Sequence, residues 1–198
     1  MNKKPIIAFF DFDGTITKKD TMMEFIIFSF GYLKFISGLI LLSPVLMVYK
    51  LSLISNYKAK QILLSYFFKG MHILKFNRLA KDYCSSKLEN IIKQKAMKRI
   101  MWHKKNGHMI VVVTASISNW IKPWCDKNQI EIIATELETK NSVITGLFST
   151  KNCYGKEKVS RIKQKFELSS FNTIYAYGDS HGDKQMLSNA DKRYYKYF

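Results

Sequence analysis

Two stretches of this chain carry closely spaced carboxylates: FFDFDGTIT at residues 9–17 and YAYGDSHGD at residues 175–183. In the first, Asp11 and Asp13 follow an apolar run. A carboxylate at a strand end can attack phosphorus and form an acyl phosphate. That chemistry needs a metal to neutralise the phosphate charge and a second acid to protonate the leaving oxygen. Residues i and i+2 of an extended segment point the same way, so Asp11 and Asp13 are expected to face one site. Gly14 lets the backbone approach a phosphate and offer its N–H, and Thr15 can tie down the turn. In the second stretch, Asp179 and Asp183 supply hard oxygen ligands of the kind that suit Mg²⁺. Asp179 is expected to bind the ion directly, and Asp183 to orient it or its waters. VVVTAS (residues 111–116) adds Thr114, whose hydroxyl and neighbouring N–H groups, such as that of Ala115, suit a phosphate at a helix N-terminus. YGKEKVSRI (residues 154–162) places a Lys at a helix start, where it can pair with the nucleophile and the phosphate.

Taken singly, these pieces are common. An Asp-x-Asp is as often a turn or a cap, and a lone Lys is nearly always surface. The elements that must position them give the constellation its force. Ile6–Phe10, Met109–Val113, Ile130–Ala134 and Thr173–Tyr177 read as buried strands, with helices over about 87–105, 117–128, 156–166 and 182–190 between them. Strands alternating with helices imply a parallel sheet with right-handed crossovers, and ligands bind at the carboxyl ends of such strands. Asp11, Thr114 and Asp179 each fall just past a strand. Residues 18–86 are too long for one crossover and read as a helical cap inserted after the first strand, leaving 1–17 and 87–198 as the catalytic core.

The order of these blocks resembles the haloacid dehalogenase-like phosphohydrolase superfamily: DxDGT at Asp11, Asp13, Gly14 and Thr15, then Thr114, then Lys158, then GDxxxD at Asp179 and Asp183. The insert looks like the C1 cap of the phosphoserine phosphatase-like branch, subfamily IB. The resemblance implies a Rossmann-like α/β core, Mg²⁺ dependence, and a phosphoaspartyl intermediate at Asp11. It also implies that Asp13 is general acid and base and binds the metal through its carbonyl. Lys156 also stands at the third block; Lys158 fits better because Val159 and Ile162 continue the helix pattern after it. Thr114 replaces the Ser common in this branch and keeps the hydroxyl. Phosphoserine phosphatases place a substrate-recognising Glu where Asp20 stands here; the shorter acid either meets substrate or caps the following helix. Membrane-associated members of the branch, resembling the phosphatidylglycerophosphate phosphatase C type, combine this set with an apolar cap stretch like GYLKFISGLILLSPVLMVYKLSLIS (residues 31–55). The expected substrate is a small phosphate ester, phosphoserine-like, with a lipid phosphate as the alternative.

Composition sets outer bounds. The 198 residues are 47% hydrophobic and 24% charged, enough to bury a real core. The formal net charge of +17 suggests an anionic partner, but only four of the 32 basic residues are Arg and no nucleic-acid motif appears, so nucleic acid is not expected. Phe35–Tyr49 carries no charge; it reads as cap core, with a membrane-surface or re-entrant segment as the second reading and a true span as the third, although a span needs roughly 20 apolar residues. The basic run Lys93, Lys95, Lys98, Arg99, Lys104 and Lys105 reads as a solvated face or a membrane-facing one. Three widely spaced Cys and a short apolar start that ends in acids, unlike a signal peptide, point to the cytoplasm, with association at the inner membrane face left open. Trp120 and Trp124 read as core packing and His181 as solvent-facing. Dehalogenases need no leaving-group acid, which Asp13 supplies. Receiver domains lack a large cap and GDxxxD, and a non-catalytic membrane-surface module leaves four catalytic blocks unexplained.

Overall fold

The computed structural model describes residues 4–198, and in it β1 (Ile6–Phe10), β2 (Met109–Ile117), β3 (Glu131–Thr135), β6 (Thr173–Gly178) and β7 (Lys192–Tyr195) form one parallel sheet. Their order across it is β3-β2-β1-β6-β7. A separate antiparallel pair, β4 (Leu137–Lys140) and β5 (Val143–Phe148), follows β3. The strands read as unbroken apolar runs because both faces are covered. Ala8, Phe10, Val112 and Tyr177 join one buried cluster, whereas Ile7, Phe9, Val111 and Ala176 join the other.

The helices supply those two layers. Between β1 and β2 lie α1 (Thr21–Leu41), α2 (Ser43–Lys50), α3 (Asn56–Phe68), α4 (Ile73–Tyr83), the short α5 (Glu89–Ile91) and α6 (Gln94–Lys105). Then come α7 (Ser118–Lys127), α8 (Lys156–Lys165) and α9 (Lys184–Ser188). The first buried cluster runs without interruption from Phe10 and Val112 to Trp120 and Trp124 of α7 and on into the insert, through Phe25, Phe68 and Phe76. Phe25 stacks on Trp120 at 4.9 Å between centroids and meets Phe68, Phe76 and Tyr83 within 5.5 Å. Ile162, Met186 and Leu187 of α8 and α9 cover the opposite face.

Several elements differ from the sequence expectation. The helix expected over 87–105 is broken: a π-helical turn at Cys84–Leu88 and α5 precede an extended Ile92 and Lys93, and only then does α6 begin. The helix expected over 182–190 shortens to α9 after a 3₁₀ turn at His181–Asp183. β7 and the β4–β5 pair were not expected at all. The pair docks on the insert, with Gly70 N–H donating to Ile144 O (2.9 Å) and Ile73 N–H to Ser142 O (2.8 Å). α1 is bent at Gly31, whose φ of +79° lies in the left-handed region that favours glycine. Of the six cations in the basic run, Lys93, Arg99 and Lys104 turn inward to Gly14 O, Tyr177 Oη and Asn128 O, so the run is not a single solvated face.

One buried network makes a pH prediction. Arg99 donates to Tyr177 Oη (2.6 Å), whose hydroxyl also meets His103 Nε2 (3.0 Å), while His103 Nδ1 meets His108 Nδ1 (2.8 Å). With Tyr177 donating, His103 is neutral and carries its proton on Nδ1. Burial, reinforced by the Arg99 charge, pushes His103 down from 6.5 to about 3. The unfolded chain therefore binds the extra proton first, and this contribution to stability is full above pH 6.5 and is lost as pH falls toward 3. Between pH 7 and pH 4 the wild type should lose on the order of 2 kcal/mol more than a His103→Gln variant. Equal losses in thermal unfolding would show that His103 does not titrate on unfolding.

Candidate active site

The register aligns the chemistry. Phe10 pairs with Val112 on one side and Tyr177 on the other, so Asp11, Thr114 and Asp179 leave the sheet at the same edge. Asp11 N–H still bonds Tyr177 O (2.9 Å), which fixes where its carboxylate emerges. Thr114 differs in one respect from expectation. β2 runs on to Ile117, with a register shift after Val113, and α7 starts only at Ser118, so Thr114 sits in a bulged strand end rather than at a helix N-terminus. Its Oγ1 accepts from Ser116 N–H (3.0 Å).

Lys158 is the hub. It lies in the first turn of α8 and is 1% exposed. Its Nζ donates to Asp11 Oδ1 (2.5 Å), Val113 O (2.7 Å) and Asp183 Oδ1 (2.7 Å). Lys156, the other candidate, is exposed. Burial works against the Lys158 charge, but Asp11 and Asp183 outweigh it and hold its pKa above the ordinary value. Burial pushes Asp11 up to about 7 even though Lys158 pulls the other way. Burial also raises Asp183, but Lys158 and the Ser180 donors win and hold it below the carboxylate range. Asp183 Oδ2 accepts from Ser180 Oγ (2.7 Å), Ser180 N–H (2.9 Å) and Asp179 N–H (3.2 Å). Asp183 Oδ2 thus shapes the loop that carries Asp179, while its Oδ1 holds Lys158.

Asp11, Asp179 and Asp183 offer carboxylate oxygens within 4.8 Å of one another. The donor set is all oxygen, the chemistry of a site for a hard divalent cation. Thr15 Oγ1 donates to Asp179 Oδ1 (3.0 Å), fulfilling the tie expected of it. Gly14 has φ +79°, and a Cβ there would meet Asp179 Oδ2 at 2.3 Å, so the turn and the acid approach closely only because this residue is glycine. The carboxylate of Asp13 stands apart from the cluster. Its Oδ1 accepts from Thr21 N–H (2.8 Å) and its Oδ2 from Ser116 Oγ. Burial raises its pKa, with the nearby Asp20 charge adding to the effect.

Asp20 caps α1: Oδ1 accepts from Met22 N–H (3.0 Å) and Met23 N–H (3.2 Å), so of its two expected roles the geometry supports capping. His181 is exposed, as expected. Three residues escaped the sequence reading. Lys93 reaches the carbonyl of Gly14. Lys60 of α3 approaches Ala115 O at 3.5 Å, and its charge acts on Asp13. Ser116 holds Asp13 through a directed chain in which Trp120 Nε1 donates to Thr21 Oγ1 (3.1 Å), leaving the Thr21 hydroxyl to donate to Ser116 Oγ (3.1 Å). Among 28 lysines neither Lys60 nor Lys93 carried a distinguishing signal. Ser116 did, since it lies two residues beyond Thr114 on an extended segment.

A family profile described as haloacid dehalogenase-like hydrolase matches residues 8–188. The chain belongs to this family. Among curated relatives, Protein CicA of Caulobacter vibrioides is 29% identical over 200 residues, covering 100% of this chain and 89% of that protein. Among solved structures, a Bordetella pertussis Tohama I protein of unknown function superposes with a TM-score of 0.83 at 18% identity, covering 95% of this chain and 88% of that one. A phospho-aspartyl intermediate analogue of phosphoserine phosphatase superposes with a TM-score of 0.66, also at 18% identity, covering 96% and 84%. These superpositions establish the fold of this haloacid dehalogenase-like hydrolase: the parallel sheet flanked by helices and the helical insert after β1.

Ser116 offers a test of the Asp13 environment. Ser116→Ala removes a donor that holds the Asp13 pKa down. The expected result is a roughly tenfold drop in kcat for an alkyl phosphate, because Asp13 loses the hydroxyl that positions it, with the basic limb of the pH profile displaced upward. p-Nitrophenyl phosphate, whose leaving group needs no proton, should be affected less. Equal effects on both substrates would separate Ser116 from Asp13.

Proposed function

We propose that this hydrolase releases phosphate from phosphomonoesters in two steps through a phosphorylated Asp11, with Mg²⁺ at its acidic cluster. The observation that carries the reading is the convergence of Asp11, Asp183 and buried Lys158 beside Asp179. Asp11 and Asp179, with the carbonyl of Asp13, would hold the ion, and Asp183 would orient the loop around it. Bound there, Mg²⁺ supplies positive charge opposite the phosphate oxygens.

In the first step an Asp11 oxygen bonds to phosphorus, the ester P–O bond breaks, and the leaving oxygen takes a proton from Asp13. The burial that raises the Asp13 pKa favours the acid form this step needs. In the second, a water oxygen bonds to phosphorus and its proton returns to Asp13. The bond to Asp11 breaks, and inorganic phosphate leaves with both acids restored. Lys158 holds Asp11 in place and offsets charge on the phosphoryl group, beside Thr114 and the N–H groups of Gly14 and Ala115.

The substrate proposed is a small phosphate ester. One observation favours the second reading, a lipid phosphate: Asp20, the acid that would recognise a phosphoserine-like substrate, is engaged in capping α1. Cys84, Cys125 and Cys153 are free and buried, which supports a reducing, cytoplasmic setting. With p-nitrophenyl phosphate as substrate, chelation should cut turnover at least ~100-fold and added Mg²⁺ should restore it. Full activity in chelator would remove the metal from the proposal.

A further inference from the structure

The bend at Gly31 divides α1 into two unlike halves. Before it, Thr21, Met22, Phe25 and Ile26 are buried. After it, Phe35, Leu39 and Leu42 still pack on the core, but the other apolar side chains largely face outward: Leu33 is 88% exposed, Ile40 68% and Leu53 72%, with Ile36, Leu41 and Met47 also exposed. The charges around them have one sign. From Phe25 to Lys81 the chain has eight basic residues and no Asp or Glu. Lys34 and Lys50 are exposed at the margins of the patch, and no ion pair among the described residues involves this segment.

We propose that this face, α1 beyond Gly31 together with α2 and the turn to α3, docks on a phospholipid bilayer bearing anionic headgroups. Charge selects the occupant. A second copy of the chain would set cations against cations with no carboxylate between them. A soluble polyanion would satisfy the lysines and leave the Leu and Ile side chains in water. A bilayer offers hydrocarbon and anionic headgroups together. Length decides the mode. The whole of α1 is apolar enough to cross a membrane by composition, but its first half is fixed in the protein core. The ten residues Tyr32–Leu41 reach only ~15 Å and α2 ~12 Å, against a hydrocarbon core of ~30 Å. The helices therefore lie in the interface rather than span it.

The docking face and the site both adjoin α3. Gly38 packs so closely on this helix that a Cβ would meet Phe67 Cζ at 2.5 Å, and the same helix presents Lys60 to Ala115 O. The docking proposal stands independently of the proposed catalysis, and its test is decided by binding, with turnover serving only as a control.

The full chain should be co-sedimented with vesicles of phosphatidylcholine and with vesicles containing about 30% phosphatidylglycerol. Partition onto the anionic vesicles should be at least ~tenfold stronger and should weaken with salt. A Leu33→Glu/Ile40→Glu double variant, altered only at exposed positions, should lose at least ~tenfold in partition while keeping its circular dichroism and its turnover of a soluble ester. The Asp11→Asn variant should bind like wild type, so failed docking and failed catalysis are told apart. Equal partition onto both vesicles, or undiminished binding by the double variant, would overturn the proposal. So would a solution dimer that the double variant dissociates, since the face would then be a self-interface.

Discussion

Asp11→Asn should abolish turnover, by at least ~10,000-fold in kcat, because the amide is a poor nucleophile and carries no charge to share with a metal. The same change should not weaken the fold. Burial already pushes the Asp11 carboxyl up to about 7, and Asp183 adds like-charge repulsion, so a neutral near-isostere removes an unfavourable charge. Lys158 keeps Asp183 and Val113 O as acceptors. The expected pairing is a dead enzyme with an unchanged or raised Tm, the trade-off found where a site stores unfavourable charge for its chemistry. Single-turnover kinetics and trapping of a phosphorylated enzyme are the measurements. A variant that kept wild-type turnover would exclude the covalent route.

Lys158→Met should fail in both respects. The Met is close in length, so the cavity is small; the loss is the cation between Asp11 and Asp183. Removing one member of a buried charged group costs about 3–5 kcal/mol, because the remaining charges stay desolvated. Without metal, the variant should unfold several degrees lower, and turnover should fall at least ~1,000-fold. The effect depends on pH with a definite sign. In the wild type the depressed Asp183 pKa stabilises the fold above the ordinary carboxylate value and is lost on acidification, so the gap between wild type and Lys158→Met should close as pH falls. The double variant Asp11→Asn/Lys158→Met should regain part of the Tm and none of the activity. An unchanged Tm for Lys158→Met would mean that the buried cation is not holding the site together.

The sequence carried the central sheet and most of the site, for a physical reason. β1, β2 and β6 are covered on both faces and so appear as unbroken apolar runs, and the acids at their ends need no tertiary information to be noticed. β7 was illegible because an edge strand reading KRYY is charged, as exposed edges often are. The β4–β5 pair was illegible because its partner is α3, far away in sequence. The break at Ile92 and Lys93 was hidden inside a plausible helical run; Lys93 N–H leaves the helix to bond Ile16 O (2.8 Å), a contact no local pattern reveals. Within the site, Asp11, Asp13, Asp179 and Asp183 were legible by spacing, whereas Lys60 and Lys93 differ from the other lysines only by where the fold carries them.

The left-handed backbone at Gly31 has an evolutionary corollary. It uncouples two selective pressures that share one continuous hydrophobic stretch. Upstream, the buried positions are constrained by the core and by the geometry of the acids, since Thr21 and Asp20 belong to the same helical turn that seats Asp13. Downstream, apart from Gly38 and the side chains of Phe35, Leu39 and Leu42 that still pack on the core, bulk hydrophobicity and the lack of carboxylates matter most, and at the exposed positions one greasy residue serves as well as another. Saturation mutagenesis across residues 21–53 would therefore change character at this glycine, with intolerance concentrated at the buried positions before it and, beyond it, tolerance of most apolar swaps at the exposed positions but not at Gly38.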